Sequence, residues 1–307
     1  MTPRKVVALA GGTGSAKLLR GLAPLGGALT VVSNVGDNVW VHGLYVCPDL
    51  DTAMYTLAGV ANRRHGWGIE GDTFAALAQL ESMGEEAWFA LGDRDLATHI
   101  VRTEALRRGR SLTEVTGSLA RSFGLRPGIL PVTDSTVETV VETDCGDLGL
   151  QEFWVREKGR PKVLGVRYEG AEGASPSRAV AEAIRSADRI VVCPANPVTS
   201  IGPMLAVRGL REALAGARAR VTALSPMSGK RPFSGPAAKL MAGTGATPDS
   251  AGVAGLYAGF LDAILVDRAD RSLMPRIERL GVACRATDAR LGTAAAARRV
   301  AKELLRA

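Results

Sequence analysis

The chain has 307 residues, enough for one large α/β domain or two small ones with ample core. Apolar residues make up 46% and charged residues 22%, which excludes a disordered chain, and no apolar run reaches the roughly 20 residues of a membrane helix. The net charge of +7 suits anionic small-molecule ligands, while 5% aromatics and the lack of a basic run interleaved with stacking rings argue against nucleic acid.

An apolar strand begins within five residues of the first Met, leaving no room for a secretory signal, so a cytoplasmic protein is expected. Cys47, Cys145, Cys193 and Cys284 are far apart and form no CxxC pair, which disfavours disulfides and a zinc site. The densest basic patch, Arg107-Arg108-Gly109-Arg110, reads as a solvated helix end.

Lys5–Leu9 is the first predicted strand. Gly11-Gly12-Thr13-Gly14-Ser15-Ala16-Lys17 follows and leads into a helix, which presents backbone N–H groups and a positive dipole end to an anion. The turn is not a Walker A loop, because Ala16 precedes Lys17. Nor is it a full dinucleotide fingerprint, because Lys17 stands at the third glycine position. A lysine there sits beside any phosphate held by the amides. After the second strand, Leu29–Ser33, come Asn34-Val35-Gly36-Asp37 and Pro48-Asp49-Leu50-Asp51-Thr52. If extended, Asp49 and Asp51 project from one face and can share a cation; alternatively Asp51 or Thr52 caps the next helix. Clustered aspartates beside phosphate-binding backbone point to metal-assisted phosphoryl chemistry.

Residues 52–124 carry four helical patterns and almost no strand signal. Met54, Leu57, Ala58 and Ala61 form one apolar helix face, and Ser111 with Glu114 has capping-box spacing. Asp95, His99 and Arg102 fall on one helix stripe, able to clamp a polar ligand or to form a surface salt-bridge ladder. The segment reads as a helical insertion over the carboxyl edge of an α/β sheet built from 1–51 and 125–307, the whole a single domain.

Further strands are predicted at Val137–Glu142, Gln151–Val155, Val163–Tyr168, Arg189–Cys193, Arg220–Leu224 and Ile264–Val266, with helices at Ser177–Ser186, Pro203–Ala215 and Thr293–Leu305. Asn196–Pro203 and Ser225–Lys230 each follow a strand, as the glycine turn does. Each is a possible anion- or base-binding loop, or a structural turn. Three such loops converge on one sheet edge. No G-x-S-x-G elbow or HExxH is present, and His42, His65 and His99 are widely separated. These residues describe a nucleotide- or diphosphate-handling α/β protein with a divalent metal.

The ordered segments GGTGSAKLLRGL, NVGDN, HGLYVCPDLDT, GWGIEGDTF, LGDRDLATHIVRT, LPVTD, PANPVTSIGP and GVAGLYAGFLD run nearly end to end, and on them the sequence resembles the 2-phospho-L-lactate transferase family of coenzyme F-420 biosynthesis. The resemblance implies a Rossmann-like core with a helical insertion. It also implies a magnesium-dependent reaction in which the deazaflavin alcohol Fo attacks a guanosine diphosphate ester of a three-carbon acid and releases GMP. The acid is lactate, enolpyruvate or glycerate, which the chain does not distinguish; a homodimer is possible. Carried over, Gly11, Gly12, Thr13, Gly14 and Lys17 bind phosphates. Asp37, Asp49 and Asp51 hold metal, and Asp51 activates the hydroxyl. Lys17 and Arg94 stabilise the transferring phosphoryl, Asn196, Ser200 and Gly202 take the guanine nucleotide, and Trp40, His42 and Trp67 with His99 flank the deazaflavin. Asn38 stands where relatives often have a second aspartate, and Ala90 where they often have a polar or basic side chain. The alternative is a nucleotide-sugar-binding regulatory protein of a related non-enzymatic family, against which the aspartate-rich PDLDT stands.

Overall fold

The structure is a computed structural model that describes residues 5–25, 27–125 and 128–307. Seven parallel strands form the central sheet. In chain order they include β1 (Lys5–Ala10), β2 (Ala28–Ser33) and, after a short β3–β4 hairpin (Val39–Val41, Leu44–Val46), β5 (Ile129–Pro131). A separate antiparallel sheet comprises β6 (Glu138–Thr143), β7 (Gly146–Gly149) and β8 (Val163–Glu169). The central sheet resumes with β9 (Arg189–Val192) and β10 (Arg220–Leu224). After the small β11–β12 hairpin (Met227–Ser228, Arg231–Pro232) it ends with β13 (Ala263–Asp267) and β14 (Ala283–Thr287). The order is β14-β13-β10-β9-β1-β2-β5. The chain therefore winds outward from β1, returns to β9 beside it, and winds outward the other way. The switch point between β1 and β9 is where open α/β sheets leave a crevice for ligand. Val6–Ala10 and Ile190–Val192 are buried throughout, as strands covered on both faces require.

Helix α1 (Gly12–Leu22) follows β1. Helices α2 (Pro48–Leu57), α3 (Ala75–Ser82), α4 (Asp93–Arg107) and α5 (Leu112–Ser122) account for the four helical patterns expected in the insertion. Helix α2 packs on α1, β2 and β5, and α5 packs on β5. The predicted capping box is present, with Ser111 Oγ accepting from the Glu114 N–H and Glu114 Oε2 accepting from the Ser111 N–H.

Several local expectations are corrected. Helix α2 starts at Pro48, whose ring suits the first helical position, so Asp51 lies inside the first turn instead of capping it. It ends at Leu57, and Ala61 instead bridges to Ile69. Gln151–Val155 is not a strand, since Glu152–Arg156 forms a single π-helical turn. Glu152 accepts the Gly149 N–H there and draws the chain into a turn. The helix expected over 203–215 is two, Ile201–Ala206 and Leu210–Ala215, separated at Gly209, whose φ is +88°. Strands β5 and β14 were not foreseen: one is three residues long, and β14 mixes Arg285 with small side chains.

Candidate active site

Loops from the carboxyl ends of β1, β2, β9, β10 and β14 open into one cavity of about 410 Å3, a size suited to small-molecule ligands. Gly11–Gly14 and Lys17 line it from the first turn, Asp37 from the end of β2, Asp49 from α2, and Asn196, Thr199 and Ser200 from the loop after β9. Close approach depends on glycine. A Cβ on Gly11 would stand 2.6 Å from both Asp49 Oδ2 and Ser200 Cβ. Gly12 adopts φ of +65°, and its N–H donates to Asp49 Oδ1. The cap residue Gly11 offers no side chain to α1 and Asp49 takes only the Gly12 N–H, so among the described residues no side chain accepts from the Thr13 and Gly14 amides, which are left for an anion.

Asn34 organises the floor. Its Oδ1 accepts the Gly36 N–H at 2.8 Å, and its Nδ2 donates to Asp49 Oδ2 at 3.1 Å and Asp37 Oδ1 at 3.3 Å. Both carboxylates are buried. Burial, with the neighbouring charge of Asp49, holds Asp37 well above the ordinary carboxylate range. Burial pushes Asp49 up to about 6 against the hydrogen bonds from Asn34 and Gly12. Two close carboxylates facing a cavity fit a hard divalent ion such as magnesium, which takes one or two carboxylates and completes its shell with water and phosphate. Among the described residues no group of three or more His, Cys, Asp or Glu converges on a metal position.

Asp51 stands apart from this pair. Successive helical residues are about 100° apart, so Asp49 and Asp51 point nearly opposite ways once α2 is helical. Asp51 Oδ2 accepts from Arg102 Nη1 at 3.0 Å, Oδ1 pairs with Nη2, and Arg102 is 1% exposed. His99 Nδ1 lies 3.1 Å from Arg102 Nη1, and its Nε2 lies 3.2 Å from Asp95 Oδ1. Tyr55 Oη donates to Asp95 Oδ1 at 2.6 Å. The Asp95–His99–Arg102 stripe is thus neither a ligand clamp nor a surface ladder. It is a buried network that ties α4 to α2.

The remaining predicted residues also lie outside the cavity lining. Arg94 is exposed, and its Nη1 donates to Glu70 O at 3.0 Å. Trp40 is 58% exposed on the β3–β4 hairpin, and His42 (φ +48°) forms its turn. Trp67 stacks on His65 over a smaller depression of the insertion, with ring centroids 5.4 Å apart. Gly202 faces Tyr168, whose Oη would stand 2.2 Å from a Cβ there. Asn38 turns to Tyr45 Oη, 3.2 Å away. In their place the cavity is walled by Gln151 and Trp154 of the π-helical turn, Phe233 after the β11–β12 hairpin, and Arg290–Gly292 after β14. A strand-end position is the available signal for Arg290, and the mixed composition of β14 hides it. For Trp154 the sequence carries none.

Because both carboxyls are raised, they stabilise the fold at low pH and lose that contribution as pH climbs from about 4 through their folded values, about 6 for Asp49. The melting temperature of the metal-free protein, measured relative to an Asp49→Asn variant, is expected to fall between about pH 4.5 and 7. Excess magnesium should flatten the difference. A pH-independent difference without metal would contradict the assignment.

Fold and site together define a doubly wound α/β protein whose ligand crevice lies at the topological switch point. Residues 6–304 match the family described as 2-phospho-L-lactate transferase CofD, and the chain belongs to that family. It is 45% identical over 287 residues to the 2-phospho-L-lactate transferase of Methanosarcina acetivorans, covering 92% of each chain. It is also 45% identical over 292 residues to the phosphoenolpyruvate transferase of Streptomyces griseus, covering 92% of this chain and 91% of that one. The fold matches a crystal structure of a UPF0052 family member from Bacillus halodurans with a TM-score of 0.68 at 18% identity over 99% of each chain, a likeness of fold alone. Membership sets the chain among transferases of a phosphorylated three-carbon acid. No described helix is long and apolar enough to cross a membrane.

Proposed function

We propose that the protein transfers 2-phospho-L-lactate or phosphoenolpyruvate from its guanosine diphosphate ester to the terminal ribityl hydroxyl of Fo. The new bond joins that oxygen to the phosphorus bearing the acid, and the phosphoanhydride bond breaks so that GMP leaves with the bridging oxygen. The observation that carries this reading is the Thr13–Gly14 start of α1, whose amides no side chain takes, set with Lys17 in one cavity with the buried Asp37–Asp49 pair. Anion-binding amides and unneutralised carboxylates have opposite preferences. A phosphate–divalent cation complex satisfies both.

Magnesium held by Asp37 and Asp49 would neutralise charge on the phosphoryl oxygens. The amides of Thr13 and Gly14 with Lys17 orient the diphosphate, which is most of what phosphoryl transfer asks of a protein. A carboxyl raised toward neutrality suits acceptance of the hydroxyl proton, and either member of the pair serves better than Asp51, whose charge is already paired with Arg102. Trp154 and Phe233 offer apolar faces for the deazaflavin ring. Incubation with Fo, magnesium and each guanylated acid, followed by product mass, tests the reading. No phosphodiester product with any of them would refute it.

Lys17→Ala is expected to weaken GDP binding by about 1–3 kcal/mol, the scale of a charge-assisted hydrogen bond. Calorimetry checks this, and ADP should bind more weakly than GDP to both proteins. Unchanged GDP affinity in the variant would remove Lys17 from the phosphates.

A further inference from the structure

Beside the main cavity, and joined to it through Thr13 and Lys17, lies a smaller groove of about 50 Å3. One wall is a stripe of α1: Thr13, Lys17 and Arg20, spaced i, i+4 and i+7 on one helix face. The other is the insertion segment from Thr56 to Gly66, which supplies Arg63. The insertion loop comes close to the first turn here, since a Cβ on Gly66 (φ +82°) would stand 3.0 Å from Thr13 Cγ2. This is where the helical insertion meets the strand ends.

The groove is cationic and uncompensated. Among the described residues none of Lys17, Arg20 and Arg63 forms a salt bridge. The nearby Glu70 accepts the Arg63 backbone N–H at 3.3 Å and not its guanidinium. Arg20 is half-buried, and its pKa is lowered by burial and by the charge of Arg63. Holding like charges together with no counter-charge is unfavourable unless an anion arrives. Arg290, which lines the main cavity, already donates from Nε to Asp288 Oδ1 at 3.0 Å.

We infer that Arg20 and Arg63 bind the carboxylate of the three-carbon acid, so that the acid lies in this groove and the guanosine runs the other way along the strand ends. The inference rests on the proposed reaction and assigns within it the part of the substrate that GDP lacks. A small groove suits a small acid, whereas nucleoside and deazaflavin need the larger cavity. An acid anchored there has its phosphate at the first turn of α1, beside Asp49, which the Gly12 N–H contacts. Planar carboxylate recognition is what guanidinium groups do best.

The test compares three ligands by calorimetry on the full-length protein with magnesium: GDP, the guanosine diphosphate ester of lactate, and the corresponding ethyl ester, which has no carboxylate. Arg20→Gln and Arg63→Gln are expected to weaken the lactate ester by about 10-fold or more while leaving GDP and the ethyl ester as in wild type. Arg63 sits on an exposed loop, so its variant keeps the test valid if the α1 variant folds poorly. An equal loss for all three ligands would make these residues phosphate contacts and overturn the inference, as would an undiminished lactate ester. Wild-type protein that binds GDP yet converts no guanylated acid with Fo would instead remove the underlying reading, and this one with it.

Discussion

Asp51→Asn is expected to lower folding stability by about 3–5 kcal/mol, the cost of leaving one partner of a buried ion pair without the other. Arg102 is fully buried and holds both Asp51 oxygens, while its remaining contacts, His99 Nδ1 and Tyr45 O, carry no full negative charge. The amide would present one oxygen and one N–H₂ to a guanidinium that only donates. Denaturant unfolding followed by far-ultraviolet circular dichroism measures the loss. An unchanged midpoint combined with abolished turnover would restore Asp51 as a catalytic group, the role its motif implies. Full turnover in whatever fraction remains folded would fix it as purely structural.

Asp37→Asn is expected to act in the opposite sense on both counts. Turnover at fixed magnesium should fall by about 100-fold or more, since a metal contact or proton acceptor supplies several kcal/mol of transition-state stabilisation. Stability of the metal-free protein should stay level or rise, because the substitution removes one of two buried like charges. Raising magnesium should recover part of the activity if the carboxylate is a ligand and little if it is the base. Steady-state rates across a magnesium titration, paired with a thermal melt, give both numbers. Wild-type turnover, or a clear loss of metal-free stability, would dismiss the paired-carboxylate site. The two aspartate variants therefore separate what the loop after β2 does toward the cavity from what α2 does toward the insertion.

The parts of this site that the sequence discloses are those written within a few consecutive residues. A β-run ending in Gly11-Gly12-Thr13-Gly14 forces a strand, a tight turn and a helix start whatever the rest of the chain does. Ser111 and Glu114 likewise fix a helix end locally. Asp49 and Asp51 part for a reason that is also local. Pro48 signals a first helical position, and steps of about 100° in place of a period of two set the carboxylates apart. The aromatic wall is different in kind. Trp154 reaches the cavity only because β6–β8 fold beside the central sheet, and Phe233 only because a hairpin follows β10. Such placements follow from long-range packing, and no spacing in the sequence encodes them. Asn34 lies between these cases, visible in NVGDN but unremarkable until its four side-chain hydrogen bonds converge.

The position of β1 bears on how the chain is made. This strand is central, yet its second neighbour is β9, with Val6 pairing opposite Arg189. During synthesis β1 can zip onto β2 early, but its other edge stays open until roughly 180 further residues have emerged, about 10–40 s at ordinary translation speeds. Over that interval Val6-Val7-Ala8-Leu9 is an apolar ribbon with unsatisfied amides, the kind of edge on which nascent chains associate wrongly. The glycine turn after β1 is thus translated well before the loop after β9 that completes its cavity. Heterologous yield should depend on chaperone supply and growth temperature more than on the stability of the finished enzyme.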